Sequence, residues 1–236
     1  MEGFTSTASP AGNIDLPLAA RLHVGIPHQD MGILMMPVDV TNIATVPDRV
    51  GGLSLDSWLP AISRLFDLAL AQPLSPADDP AGPVCYLTID EGFVEAGQPQ
   101  RRPGLHVDGR HGYRVQGVLM ASSFPGCRVW LQDFTGEPGA EGNCSHLAGQ
   151  CQEKSAVVLD PGEVWYLDGS AVHMSLPQHQ RIWRQFVRLT WPGQCWHRGY
   201  TANPTGLQHT GYALPPRPAE FMRHRYLASR LPVHAY

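Results

Sequence analysis

The chain has 236 residues, a formal net charge of −4 at pH 7 and only 16% charged residues. This charge gives no electrostatic basis for a nucleic-acid partner, and the 43% hydrophobic content is typical of a globular chain and not of a disordered one. We find neither a bilayer-length apolar stretch nor an N-terminal signal pattern, so we expect a cytoplasmic protein with no membrane partner. The five cysteines, an odd number without CxxC spacing, suit reduced thiols.

A chain of this length fits one domain, and we expect residues 1–236 to form it. The 24 glycines and 22 prolines favour many short strands joined by turns. Residues 1–13, rich in small residues, are expected to form a flexible lead-in. Short apolar runs between residues 15 and 50, punctuated by prolines, fit irregular structure or edge strands.

A strong helix signal lies at about residues 53–71. Apolar residues there recur at three- and four-residue steps and form one stripe, which we expect to pack on a sheet: Leu55, Trp58, Leu59, Ile62, Leu65, Phe66 and Ala69. About eight short β-rich segments follow at about residues 84–191, and this order predicts an antiparallel sandwich or barrel. The polar segment 135–154 is a candidate lid or a plain solvated loop, and residues 218–231 are a candidate short helix.

The first candidate ligands lie in the sequence RRPGLHVDG, residues 101–109. Side chains two apart on a strand share a face, so His106 and Asp108 would point the same way. The later sequence DPGEVWYLDGSAVH predicts a turn, a strand, a second turn and a strand that carries His173. Two histidines and one carboxylate on a β scaffold form the facial triad typical of non-haem Fe(II) sites. A second HxD tripeptide, HQD at residues 28–30, lacks this context, and we interpret it as a surface loop.

The competing interpretation of the three residues is an ordinary set of polar side chains. A structural zinc site would usually need a fourth ligand, often cysteine, and no cysteine lies near these motifs in sequence. Cys144 and Cys151, with His146 between them, could bind zinc or pair, but ordinary loop cysteines are more common. Trp130, Trp165 and Tyr166 could line a pocket, although aromatic residues on strands are core residues by default.

In this order, the sequences HVDG, DPGEVWYLDGSAVH and WRQFVRLTW resemble the Fe(II)/2-oxoglutarate-dependent oxygenase superfamily, within the wider cupin fold, over about residues 84–191. The resemblance implies a mainly β, double-stranded β-helix (jelly-roll) fold with a supporting N-terminal helix. It also implies that His106, Asp108 and His173 bind iron and that an arginine on the strand after the second histidine binds 2-oxoglutarate.

Two arginines compete for that last role. We expect Arg184 to bind 2-oxoglutarate, because it has the family's spacing from His173 and would lie opposite it in a hairpin turning near residues 177–179. Arg188, on the same face, could replace it or meet an acidic group of the substrate. Arg101 and Arg102 could lie at the mouth of the barrel or form an ordinary solvated basic pair.

The resemblance further implies that dioxygen and 2-oxoglutarate are consumed, with decarboxylation to succinate and oxidation of an unactivated C–H bond. Because halogenating relatives carry a small residue in place of the carboxylate, Asp108 favours hydroxylation, with desaturation or cyclisation left open. We expect a small-molecule, amino-acid or peptide substrate, bacterial specialised biosynthesis, and a monomer or homodimer. The alternatives are a cupin-type metal dioxygenase or isomerase that does not use 2-oxoglutarate, and a non-enzymatic metal-binding module.

Overall fold

The computed structural model describes residues 3–17, 32–50, 53–73, 76, 84–108 and 117–191. The HQD tripeptide at residues 28–30 and the candidate helix at 218–231 lie outside these residues. No helix in the described part of the chain is long and apolar enough to cross a membrane.

Short strands dominate the described residues, as the glycine and proline content predicts. They are β1 (Gly3–Ser6), β2 (Ala8–Asn13), β3 (Gly32–Asp39), β4 (Arg49–Val50), β5 (Leu53–Ser54), β6 (Val84–Val94), β7 (Gly117–Ser122), β8 (Cys127–Trp130), β9 (Gln132–Thr135), β10 (Ala156–Val158), β11 (Glu163–Asp168), β12 (Val172–Ser175) and β13 (Ile182–Trp191). A single α-helix, α1 (Leu59–Leu70), lies between β5 and β6 among the described residues.

Two antiparallel sheets form the body of the molecule. The main sheet has the order β2-β11-β7-β13-β6-β3, and the second sheet has the order β10-β8-β12. The segment around His106 extends the second sheet beyond β12 through an isolated bridge to His173. From β6 onward the chain passes repeatedly between the sheets, as in a jelly roll. The predicted double-stranded β-helix is therefore confirmed.

Helix α1 supports the outer face of the main sheet. Its buried residues Ile62 and Leu65 share one apolar cluster with Leu87, Val187 and Leu189 of the sheet. The helix begins at Leu59, later than the predicted residue 53, because Leu53–Ser54 pair with Arg49–Val50 as a short ladder. A 3₁₀ turn at Asp56–Trp58 precedes it, and proline in the first turn fits a helix start.

The prediction of a flexible lead-in is wrong. Strand β1 pairs with β9, and β2 pairs with β11 at the edge of the main sheet. The buried Ser6 hydroxyl accepts a hydrogen bond from the Val172 N–H at 2.8 Å and donates one to the Trp130 carbonyl. Backbone pairing and this buried hydroxyl thus order a segment whose small residues carry little β signal.

The structure departs from the expected strands at two further places. The β-rich run from Cys127 to Phe134 divides into β8 and β9, because the Leu131 N–H bonds to the Ser155 carbonyl at 2.8 Å and β9 leaves to pair with β1. The segment 101–108 is irregular, with only His106 in β bridges. Pro103 and the positive φ of Gly104 (78°) explain why no regular strand forms there.

Segment 135–154 packs against the second sheet as three 3₁₀ turns at Ala140–Gly142, Ser145–Gln150 and Glu153–Ser155. Buried Cys144 and Leu147 anchor it beside Val107. Backbone hydrogen bonds of 2.9 Å join the Val107 N–H to the Gly142 carbonyl and the Cys144 N–H to the Leu105 carbonyl. Through these contacts, the segment packs against residues 105–107 and holds the His106 region in place.

Candidate metal centre

The structure brings His106, Asp108 and His173 together between the two sheets. One ligand atom from each lies within 4.8 Å of the others. Reciprocal backbone hydrogen bonds of 2.9 Å join His106 and His173, so their side chains leave the second sheet on the same face. The imidazole centroids are 4.2 Å apart, and the His173 Nε2 lies 3.8 Å from the Asp108 Oδ2. Among the described residues, this is the one group of three or more such side chains that could hold a metal.

The hydrogen bonds of the two imidazoles fix their tautomers. The His106 Nδ1 lies 2.9 Å from the Gly104 carbonyl oxygen, and the His173 Nδ1 lies 2.9 Å from the Ala171 carbonyl oxygen. A carbonyl only accepts hydrogen bonds, so each Nδ1 carries the proton and each Nε2 keeps its lone pair. Both rings are thus in the tautomer that a metal ligand requires.

The electrostatics of the site also suit metal binding. Burial, reinforced by the neighbouring His173, lowers the pKa of His106 to about 3, against the opposing pull of Asp108. Burial opposes ionisation of Asp108, but the charges of Arg188, His173 and His106 hold the pKa of its carboxyl below the usual range. At neutral pH the site therefore offers a neutral imidazole and a carboxylate, the protonation states that metals bind.

The donor set decides which metals fit. Two imidazole nitrogens and one carboxylate suit a divalent transition metal, and three protein ligands leave coordination positions for other molecules. Cys144 is buried and Cys151 partly exposed, and neither belongs to a metal-binding group among the described residues. The described residues thus fit Fe(II) better than a closed structural zinc site.

Arg188 lies next to the carboxylate of this group. Its Nη1 is 3.3 Å from the Asp108 Oδ2, and the side chains are only 11% and 15% exposed. Arg188 belongs to β13, whose inward-facing residues include Arg184 and Phe186, while Val187 and Leu189 face α1. The predicted sharing of a face along β13 is therefore confirmed.

Arg184 lies at a different place on the same face. Its side chain is almost fully buried, with the residue 1% exposed, and its Nε donates to the Ser122 Oγ at 2.6 Å. The guanidinium fills the space that a side chain at Gly126 would occupy. Beside it is a small cavity, lined mainly by apolar groups that include Met120, Leu159 and Phe186. The cavity is thus largely apolar with a cation at one side.

Cys127 links this cavity to the metal-ligand group. It lines the cavity, and the charges of both Arg184 and Asp108 affect the pKa of its thiol. Burial raises the pKa of this thiol to about 12, with Arg184 opposing the shift and Asp108 adding to it. Cys127 is therefore a neutral thiol at the boundary between the cavity and the candidate ligands.

The predicted hairpin between the His173 strand and the next strand is wrong. Strand β12 pairs with β8, whereas β13 pairs with β6 and β7, so the two strands lie in opposite sheets. Arg184 lies opposite Gly92 in the ladder and not opposite His173. The Arg184 side chain still points into the interior, because β13 lies in the sheet opposite the one that carries His173.

The remaining candidate residues have mainly structural surroundings. Arg101 is part-buried, with its Nη1 3.2 Å from the Asp90 Oδ2 and its guanidinium 5.1 Å from the Phe186 ring centroid. Trp130 and Trp165 are buried in apolar clusters, which confirms the default expectation for them. Tyr166 is half-buried and packs on Trp191 at 6.0 Å between ring centroids. None of these aromatic residues lines the cavity beside Arg184.

Sequence reasoning missed Ser122 and Gly126 as partners of Arg184. Gly126 lies in a Phe-Pro-Gly turn, and that turn signal marks a tight loop but not the approach of a distant guanidinium. Ser122 ends a strand and carries no distinguishing signal. Both contacts depend on the register of β7 against β13, in which Ser122 lies opposite Phe186.

The sequence matches no protein-family model and no curated protein. Solved structures with a similar fold include EvdMO1 (14% identity, TM-score 0.45), of which the match covers 47%, against 79% of this chain. They also include a Pseudomonas putida prolyl-4-hydroxylase (12% identity, TM-score 0.42, covering 78% of this chain and 83% of that one). A third is the Fe(II)/α-ketoglutarate-dependent dioxygenase TqaL (11% identity, TM-score 0.42, covering 78% and 81%).

The chain spans about half the length of EvdMO1. At identities of 11–14% and TM-scores below 0.5, the likeness carries no conclusion about the reaction or its substrate.

Proposed function

We propose that the protein is an Fe(II)- and 2-oxoglutarate-dependent oxygenase that hydroxylates an unactivated C–H bond. The observation that carries the proposal is the convergence of His106, Asp108 and His173, with both imidazoles in the metal-binding tautomer. A set of unrelated polar residues would have no reason to place two buried imidazoles beside a largely buried carboxylate. A metal ligand set requires this combination.

Arg184 supports the choice of 2-oxoglutarate as co-substrate. A buried guanidinium suits a carboxylate at the end of a short aliphatic chain, because the paired charges would satisfy each other out of water. Ser122 holds the guanidinium through its Nε, and a planar guanidinium suits the two oxygens of a carboxylate.

Each group of residues then has a separate proposed role. His106, Asp108 and His173 would hold Fe(II), Arg184 would orient 2-oxoglutarate, and the apolar walls would exclude water. When bound, Fe(II) and 2-oxoglutarate together supply the activation of dioxygen, with 2-oxoglutarate decarboxylated to succinate. Retention of a carboxylate at position 108 favours hydroxylation among the reactions of such enzymes.

The identity of the substrate is a broader proposal. A small molecule, an amino acid or a peptide fits a chain of 236 residues that we propose to be one domain. We further propose a cytoplasmic role in bacterial specialised biosynthesis, as a monomer or homodimer.

Anaerobic titration tests the proposal directly. Addition of Fe(II) and then 2-oxoglutarate to the metal-free protein is expected to produce a weak visible charge-transfer band, and admission of air should yield succinate. Fe(II) alone or 2-oxoglutarate alone should give no band. Metal binding without the band would favour a cupin-type enzyme that does not use 2-oxoglutarate, or a non-enzymatic metal-binding module. No metal binding would favour a non-enzymatic binding module whose histidines are structural.

Gly126→Ala is expected to weaken 2-oxoglutarate binding about 10- to 100-fold, since a displacement near 1 Å can have such an effect at a bound ligand. The added methyl group would occupy the position of the Arg184 guanidinium, which must then move. Because the displaced group is the end of a flexible side chain, the melting temperature should change little. Calorimetric titration with 2-oxoglutarate at saturating metal measures the effect.

Gly149→Ala is the matched control, because a methyl group there would contact nothing within 4 Å. Unchanged 2-oxoglutarate affinity in both variants would contradict the assignment of Arg184.

A further inference from the structure

Each of the three candidate ligands has a partner that can fix its orientation. His106 and His173 each contact a backbone carbonyl at 2.9 Å. The partner of Asp108 is instead a side chain, because the Arg188 Nη1 lies 3.3 Å from the Asp108 Oδ2. Partners of this kind orient metal ligands and tune the affinity for the metal.

Arg188 is the better fixed member of this pair. It lies within β13, where it is opposite Thr88 of β6 on one side and Met120 of β7 on the other. Asp108, in contrast, lies in the irregular segment 101–108. The Arg188 guanidinium therefore extends from a backbone that is paired with a strand on each side. It can hold the Asp108 carboxylate, whose own backbone is not part of a strand.

The positions of the two arginines separate their roles. Arg184 and Arg188 are four residues apart on one strand, so their Cα atoms are about 13 Å apart. Arg184 contacts Ser122 and fills the space at Gly126, whereas Arg188 contacts Asp108. A 2-oxoglutarate carboxylate bound by Arg188 would compete directly with a ligand of the metal that 2-oxoglutarate must reach.

We propose that Arg188 is a positioning residue that holds Asp108 in its ligand orientation and thereby strengthens metal binding, and that it is not the residue that binds 2-oxoglutarate. This inference rests on the metal site of the proposed function. The guanidinium charge repels a cation, but the contact also restricts the orientation of a largely buried carboxylate. We expect the gain from orientation to exceed the repulsion.

The test measures metal and 2-oxoglutarate binding separately in Arg188→Met, with Co²⁺ in place of Fe(II). Co²⁺ affinity is expected to fall about 10- to 100-fold, the usual effect of losing an outer partner of a ligand. Arg188→Lys keeps the charge with a single donor group and should recover part of the affinity. At saturating Co²⁺, 2-oxoglutarate affinity should stay essentially unchanged.

Arg181→Met is the matched control. Arg181 also forms an ion pair, with its Nε 2.9 Å from the Glu95 Oε1, but both side chains are more than half exposed. Its removal should leave Co²⁺ affinity unchanged. If Arg188→Met does not fold, as judged by circular dichroism, Arg188→Lys carries the test with a several-fold loss of Co²⁺ affinity expected.

The outcomes separate this inference from the proposed function. Unchanged or tighter Co²⁺ binding by Arg188→Met, or loss of 2-oxoglutarate binding at saturating Co²⁺, would overturn the inference alone. If the unaltered protein binds Co²⁺ but not 2-oxoglutarate, the proposed reaction fails while the role of Arg188 is still tested. If it binds no Co²⁺, the metal site and the inference fail together.

Discussion

Replacing His106 with alanine is expected to lower Fe(II) affinity by more than about 100-fold, because even the loss of an outer partner costs about 10- to 100-fold. The variant should also show no charge-transfer band and form no succinate. His106 supplies one of three ligand atoms in the group, so its loss leaves two protein ligands for the metal. Anaerobic titration with Fe(II) and 2-oxoglutarate measures both effects.

His146→Ala is the control for the loss of a histidine. His146 lies in segment 135–154, where its Nε2 contacts the Glu137 carbonyl oxygen at 3.0 Å, and it is not part of the ligand group. This variant should keep both the metal affinity and the band. A His106→Ala protein that bound Fe(II) as tightly as the unaltered protein would contradict the proposed site.

The fold was largely predictable because its signals are local. Turn residues separate β-rich segments, and the apolar stripe of α1 marks the face that covers the main sheet. The edge strands β1 and β2 were not predictable in this way. Their small residues carry no β signal. These strands are ordered by contacts with residues that are distant in sequence, such as the hydrogen bond between Ser6 and Val172.

The site was predictable in its ligands but not in their surroundings. The order of the motifs was enough to propose His106, Asp108 and His173, and the structure brings them together even though segment 101–108 is irregular. The partners of the two arginines depend on sheet register. Spacing alone showed that Arg184 and Arg188 share a face, but not that one contacts Ser122 and the other Asp108.

Arg184→Met is expected to weaken 2-oxoglutarate binding by about 2–5 kcal/mol, the usual cost of removing one partner of a buried charge pair. This loss corresponds to a factor of about 30 to 4,000 in affinity. Methionine keeps an apolar, unbranched stem but lacks the guanidinium that lies beside Gly126, so it has no charged group to bind a carboxylate. Titration with 2-oxoglutarate at saturating Co²⁺ measures the change, and Co²⁺ affinity itself should be unaffected.

Two comparisons make the Arg184 result specific. Arg184→Lys should bind 2-oxoglutarate more tightly than Arg184→Met but less tightly than the unaltered protein, because an ammonium group lacks the planar pair of donors. Arg128→Met removes an ion pair with Glu153, 3.1 Å long and partly exposed, and should have no effect. A cupin-type enzyme that does not use 2-oxoglutarate would keep its activity in Arg184→Met. Retained activity would indicate that the metal site catalyses a reaction without 2-oxoglutarate. The assignment of the three metal ligands would not change.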